Sequence, residues 1–76
     1  MNEQERLSQQ CEDVLAFLDI NEWITHRIAE DELGIMRLAA RICDLKKQGH
    51  VFEHKWFSFT ARNGRQGRIM GYKKVA

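Results

Sequence analysis

Seventy-six residues make one small domain, residues 1–76, with no room for a second core. The apolar share of 43 % with 30 % charged residues describes a soluble globular chain. No run approaches the ~18 uninterrupted apolar residues of a spanning helix, and the polar start MNEQERLSQQ lacks the basic and apolar regions of a secretory leader. Neither membrane insertion nor a membrane partner is therefore expected, and a cytoplasmic location is, with residues 1–3 and 75–76 frayed. The net charge of +1 hides a strong asymmetry. Through Gly34 nine acids face two bases, a net −7; from Ile35 onward ten bases face two acids, a net +8. The second half is expected to meet a polyanion.

In chain order, Leu7, Cys11, Val14, Leu15 and Leu18 form one apolar stripe, which predicts an amphipathic helix over 3–18 with Phe17 at its border. Asp19 to Glu22 is a connection, and Trp23-Ile24 a short extended pair entering the core. Thr25 suits the N-cap of a short helix, His26 to Leu33, that packs through Ile28, Ala29 and Leu33. No Glu or Gln stands at the third position to complete a capping box. This helix ends in Glu30, Asp31 and Glu32, where the dipole is already negative, at a cost of ~0.3–1 kcal/mol per exposed charge. The three acids are expected to form a solvated face; their functional reading is a patch for a protein partner.

Gly34 interrupts the pattern, and IMRLAARICDLKK begins at once and ends against Gly49. Ile35, Leu38, Ile42 and Leu45 recur at helical spacing and are assigned to the core; Arg37, Ala40, Arg41, Asp44, Lys47 and Gln48 fall on the other side. Arg37 and Arg41, one turn apart, match guanine O6/N7 and phosphate. Met36 and Ala40 allow close approach to base edges, and Asp44 either accepts from a cytosine amino group or pairs with Arg41 or Lys47. The two cysteines, Cys11 and Cys43, are expected as buried free thiols.

Beyond Gly49 the pattern becomes strand-like over Val51 to Thr60, then Arg62-Asn63-Gly64-Arg65 signals a hairpin whose returning strand is Arg68 to Val75. A two-residue Asn63-Gly64 turn would set Arg62 opposite Arg65, Phe57 opposite Met70 and Lys55 opposite Tyr72. Arg62, Asn63, Arg65, Gln66 and Arg68 make a basic, acid-free tip suited to phosphates or a minor groove. Trp23, Phe52, Trp56, Phe57, Phe59 and Tyr72 are assigned mostly to the core, although strand aromatics also stack on unpaired bases. Cys43, His50 and His54 lack the second cysteine of a zinc finger, so no metal is expected. Phosphate loop, nucleophile elbow and HExxH are absent, so neither a cofactor nor catalysis is expected.

The order α-α-α-β-β with a basic loop resembles the winged helix-turn-helix family, particularly its small phage- and prophage-type members. The residues that carry the resemblance are Thr25, Ala29, Leu33-Gly34-Ile35, Arg37-Leu38-Ala39, Arg41-Ile42, Asp44-Leu45, Gly49, the Arg62-Asn63-Gly64 turn and Tyr72. Relatives often carry proline after the capping threonine, where this chain has His26.

The resemblance implies an α+β fold, three helices followed by a two-stranded β-hairpin wing, with a short third strand at Trp23-Ile24. It makes Ile35 to Lys47 the recognition helix and Arg62 to Arg68 the wing. The function expected from it is binding of double-stranded DNA by a phage-encoded transcriptional regulator or an excisionase-like architectural factor. Met36, Arg37, Ala40, Arg41, Asp44 and Lys47 would then face the major groove, while Lys46, Lys55 and the wing hold the backbone or minor groove. A lone module of this size makes few contacts, which favours a homodimer or repeated sites. The alternative is a protein-binding winged helix, an inhibitor of a host complex, working through Glu30, Asp31 and Glu32 with the first helix.

Overall fold

The computed structural model describes residues 2–75; fraying expected at Met1 and Ala76 lies outside them. The elements are α1 (Glu3–Ile20), β1 (Ile24–Thr25), α2 (His26–Leu33), α3 (Leu38–Lys47), β2 (Phe52–Thr60) and β3 (Gln66–Lys74). The fold is α+β, as expected. The extended pair expected at Trp23-Ile24 forms β1 one residue later and joins a three-stranded antiparallel sheet of order β1-β3-β2.

The starts of α1 and α2 and the end of α2 each have a visible cause. The Asn2 side chain accepts from the Glu5 N–H at 2.8 Å and starts α1. Thr25 starts α2 in the same way, its hydroxyl accepting from the Ile28 N–H at 3.2 Å. At the end of α2, Gly34 adopts φ +68, a left-handed turn that a side chain would strain. The N–H groups of Gly34 and Ile35 donate to the Glu30 and Ala29 carbonyls and close that helix.

The same bonds correct the expected start of the third helix. The Ile35 N–H is committed to α2 and its side chain is fully buried, so residues 34–37 form a connecting turn and α3 begins at Leu38. Arg37 occupies the N-cap with no side-chain hydrogen bond.

The core consists of Cys11 and Val14 from α1, Ile24, Ala29, Ile35, then Leu38, Ile42 and Leu45 from α3, closed by Phe52. Leu15, Phe17, Leu18, Ile28, Leu33 and Tyr72 pack around it. Cys43 departs from expectation: Cys11 is buried, whereas Cys43 is exposed, because it follows Ile42 onto the solvent side of α3.

The hairpin register also differs from the two-residue turn. Phe57 pairs with Ile69, Trp56 with Met70, Lys55 with Gly71 and His54 with Tyr72. The cause is a three-residue loop, Arg62-Asn63-Gly64. The Ala61 N–H donates to the Arg65 carbonyl at 2.8 Å and the Gly64 N–H to the Ala61 carbonyl at 2.9 Å, with Gly64 at φ +84. A slip of one residue moves each partner to the other face. Even-numbered residues now share the face of buried Phe52 and Ile24, towards the helices; odd-numbered ones form the outer face, where Trp23 meets Phe57 edge-on at 5.4 Å.

Of the six aromatics assigned mostly to the core, only Phe52 is buried. The hairpin strands are nine residues long, and the helices cover only their base.

Candidate nucleic-acid interface

On α3 the buried arc is Leu38, Arg41, Ile42 and Leu45. Opposite it, Ala39, Cys43, Lys46 and Lys47 are exposed, with Ala40 half-buried at the edge. Both lysines occupy the last turn, where the helix dipole favours cations. The outward position expected for Arg41 is corrected. Only 8 % of the residue is exposed; its Nη2 lies 3.2 Å from the Asp44 carboxylate and its Nε is buried without a partner.

Position 41 adjoins the core stripe on the side facing α1, and the long stem covers apolar surface there. Arg41 helps line a groove between α1 and the 34–37 turn, together with Arg6, Leu7, Gln10, Met36 and Arg37. Since Arg37 precedes the helix, Arg37 and Arg41 are not an outward pair one turn apart. Arg37 and Met36 are exposed in the turn, and Asp44, half-buried, is held by Arg41. Ala39 and Cys43, central to the outer face, were missed because small uncharged side chains carry no nucleic-acid signal. The apolar stripe, drawn with its true centre, would have found them.

The wing places Arg62, Asn63, Arg65, Gln66 and Arg68 all in solvent. The Asn63 Oδ1 accepts from the Arg65 N–H at 3.0 Å and stiffens the loop. Gln66 Nε2 donates to Thr60 Oγ1 at 3.1 Å across the strands. The Arg68 guanidinium lies 5.5 Å from the centre of the Trp56 ring. Lys55 stands on the outer face, its ammonium 4.8 Å from the Phe57 ring centre and 5.1 Å from that of Trp23.

At the base of that face Lys73 Nζ donates to Glu22 Oε1 at 3.0 Å. This hydrogen bond, reinforced by charge attraction, lowers the Glu22 carboxyl pKa and raises that of Lys73. Burial raises the Cys11 thiol pKa; nearby Asp44 adds to the effect and Arg41 opposes it. Glu30, Asp31 and Glu32 are exposed at the end of α2, with His26 Nε2 3.9 Å from the Glu30 carboxylate.

Among the described residues no three His, Cys, Asp or Glu groups converge on a metal-sized site, and no helix is long and apolar enough to cross a membrane. Comparison with curated proteins and with solved structures finds no match. The family model of the winged helix-turn-helix domain matches residues 9–73, from the middle of α1 to the end region of β3. With that span, a helix-turn-helix at α2–α3 and a basic hairpin behind it, the chain belongs to the winged helix-turn-helix family, typically a non-enzymatic DNA-binding domain.

Proposed function

We propose that this protein binds double-stranded DNA, with α3 in the major groove and the wing on the backbone or minor groove. The supporting observation is the hairpin itself. From His54 to Val75 it carries six bases and no acid, and its loop arginines are all in solvent. The outer face of α3 offers two lysines beside small Ala39 and Cys43, with no arginine fork. Phosphate contacts and DNA shape then supply most of the affinity, and Arg37 and Met36 at the helix start are the remaining candidates for base edges. Modest sequence discrimination follows, which suits an architectural factor of excisionase type better than a stringent repressor.

The test is a fluorescence titration against duplex DNA over a range of salt. The logarithm of the affinity should fall linearly with that of salt, and replacing Arg62 and Arg65 by alanine should reduce the slope by ~2, near 0.9 per lost phosphate contact. Arg37→Ala should weaken preferred sites more than random ones. Absence of binding at low salt would reject the reading.

The protein-binding reading rests on Glu30, Asp31 and Glu32, which stand exposed, with His26 Nε2 3.9 Å from the Glu30 carboxylate. It requires a stoichiometric partner that is retained after nuclease treatment and lost when the three charges are reversed.

A further inference from the structure

Trp56 is the feature of the wing that duplex binding leaves unused. Even-numbered side chains of β2 and β3 share the face that the helices cover at the hairpin base, where Phe52 and Ile24 are buried. Towards the loop the face runs out past the helices, and Trp56 stands there 57 % exposed. Met70 is the cross-strand partner of Trp56, and Arg68, diagonal to it, holds its guanidinium 5.5 Å from the ring centre. Ser58, paired with Arg68, is small and leaves a shallow recess that Gln66 and Gly67 also line.

An occupant must present a flat π-face and a negative charge, since Arg68 stands on this face and the hairpin that carries it has six bases and no acid between His54 and Val75. A nucleobase on its phosphodiester has both. An acidic peptide has charge without a ring at each repeat. In a continuous duplex, however, the π-faces of the bases are closed by stacking on one another, and only an unpaired base offers one.

We infer that Trp56 and Arg68 form a stacking platform for an unpaired nucleobase, so that the protein favours duplex DNA containing an unpaired segment over continuous duplex. The inference rests on the DNA-binding reading above and adds the kind of DNA preferred.

The experiment uses the full chain carrying Trp23→Phe, which leaves Trp56 as the single tryptophan. Continuous duplex is compared with the same duplex carrying a short gap in one strand, at matched salt. Gapped DNA should bind more tightly and quench the Trp56 emission. Trp56→Ala, made in the chain that retains Trp23 and followed with labelled DNA, should weaken gapped-DNA binding by ~5- to ~150-fold, the equivalent of ~1–3 kcal/mol per stacked base, and leave continuous duplex unchanged. Trp56→Phe should restore most of the loss.

Equal affinity for the two DNAs, with Trp56→Ala without effect, would overturn the platform while duplex binding stands. Loss of all binding at low salt would remove the DNA reading and the platform together. Sedimentation supplies the remaining arm: a dimer that Trp56→Ala dissociates would assign this face to a second copy of the chain and overturn the platform.

Discussion

Arg41 is a residue whose type suggests one task and whose position gives it another. Largely buried, it lines the groove between α1 and the 34–37 turn, with its guanidinium within ion-pair distance of the Asp44 carboxylate. The two halves of this pair are therefore unequal. Asp44→Ala leaves a buried charge without its partner and should destabilise the fold by ~1–3 kcal/mol in urea unfolding. Arg41→Met keeps the packed stem and removes a buried, incompletely bonded charge, so it should stay within ~1 kcal/mol of the wild type. The reverse ranking would contradict the placement of Arg41.

The cysteines make a second contrast at this scale. Cys11 is buried with its thiol pKa raised by desolvation, whereas Cys43 is open to solvent. Iodoacetamide at neutral pH should label Cys43 first, with Cys11 following only as the fold opens, and mass spectrometry of timed digests reads the order. Comparable labelling rates would contradict the burial of Cys11.

Among the elements, the hairpin shows most clearly what periodicity leaves undecided. Strand-like runs around Asn63-Gly64 announce a hairpin, but a two-residue and a three-residue loop fit the same letters and differ by one step of register. The observed loop puts Phe57 over Gly71 and Phe59 over Gly67 on the outer face. A Cβ at Gly71 would stand 2.3 Å from the Phe57 ring, and one at Gly67 2.5 Å from the Phe59 ring. Phe59 is 40 % exposed and can swing away, whereas Phe57 is held against Trp23. Gly71→Ala should therefore cost ~1–3 kcal/mol as an overpacked site, and Gly67→Ala clearly less, by chemical denaturation. Equal costs would indicate that the rings are not held differently. The α2–α3 joint carries a similar lesson: Gly34 marks a break, but only the commitment of Ile35 to the end of α2 delays α3 to Leu38.

For the molecule as a whole, charge separation along the chain becomes separation between elements. The acids lie mainly on α1 and α2, while the hairpin is basic from His54 onward. Glu22 and Lys73, distant in sequence, tie the lead-in of β1 to β3. The Glu22 pKa is lowered by folding, so its contribution is present above the ordinary carboxylate range and lost as pH falls through the lowered value. The Lys73 pKa is raised, so its contribution is present below the ordinary lysine range and lost as pH rises through the raised value. Thermal melts of Glu22→Gln should thus differ from the wild type most near neutrality, by a small margin because the pair is at the surface, and coincide with it in strong acid. A gap that persists in acid would assign the effect to something other than this pair.

The sequence by itself determined the α+β class, the helix and strand order, the Thr25 cap, the Gly34 break and the basic hairpin. These follow from local periodicity, capping chemistry and charge, all of which act within a few residues. Tertiary structure alone decided that Arg41 turns inward, that Cys43 faces out, which residues of β2 and β3 pair, and that Trp56 stands uncovered. Each of those depends on which neighbour an element packs against and how far that neighbour reaches, and neither is written into the spacing of residues along one element.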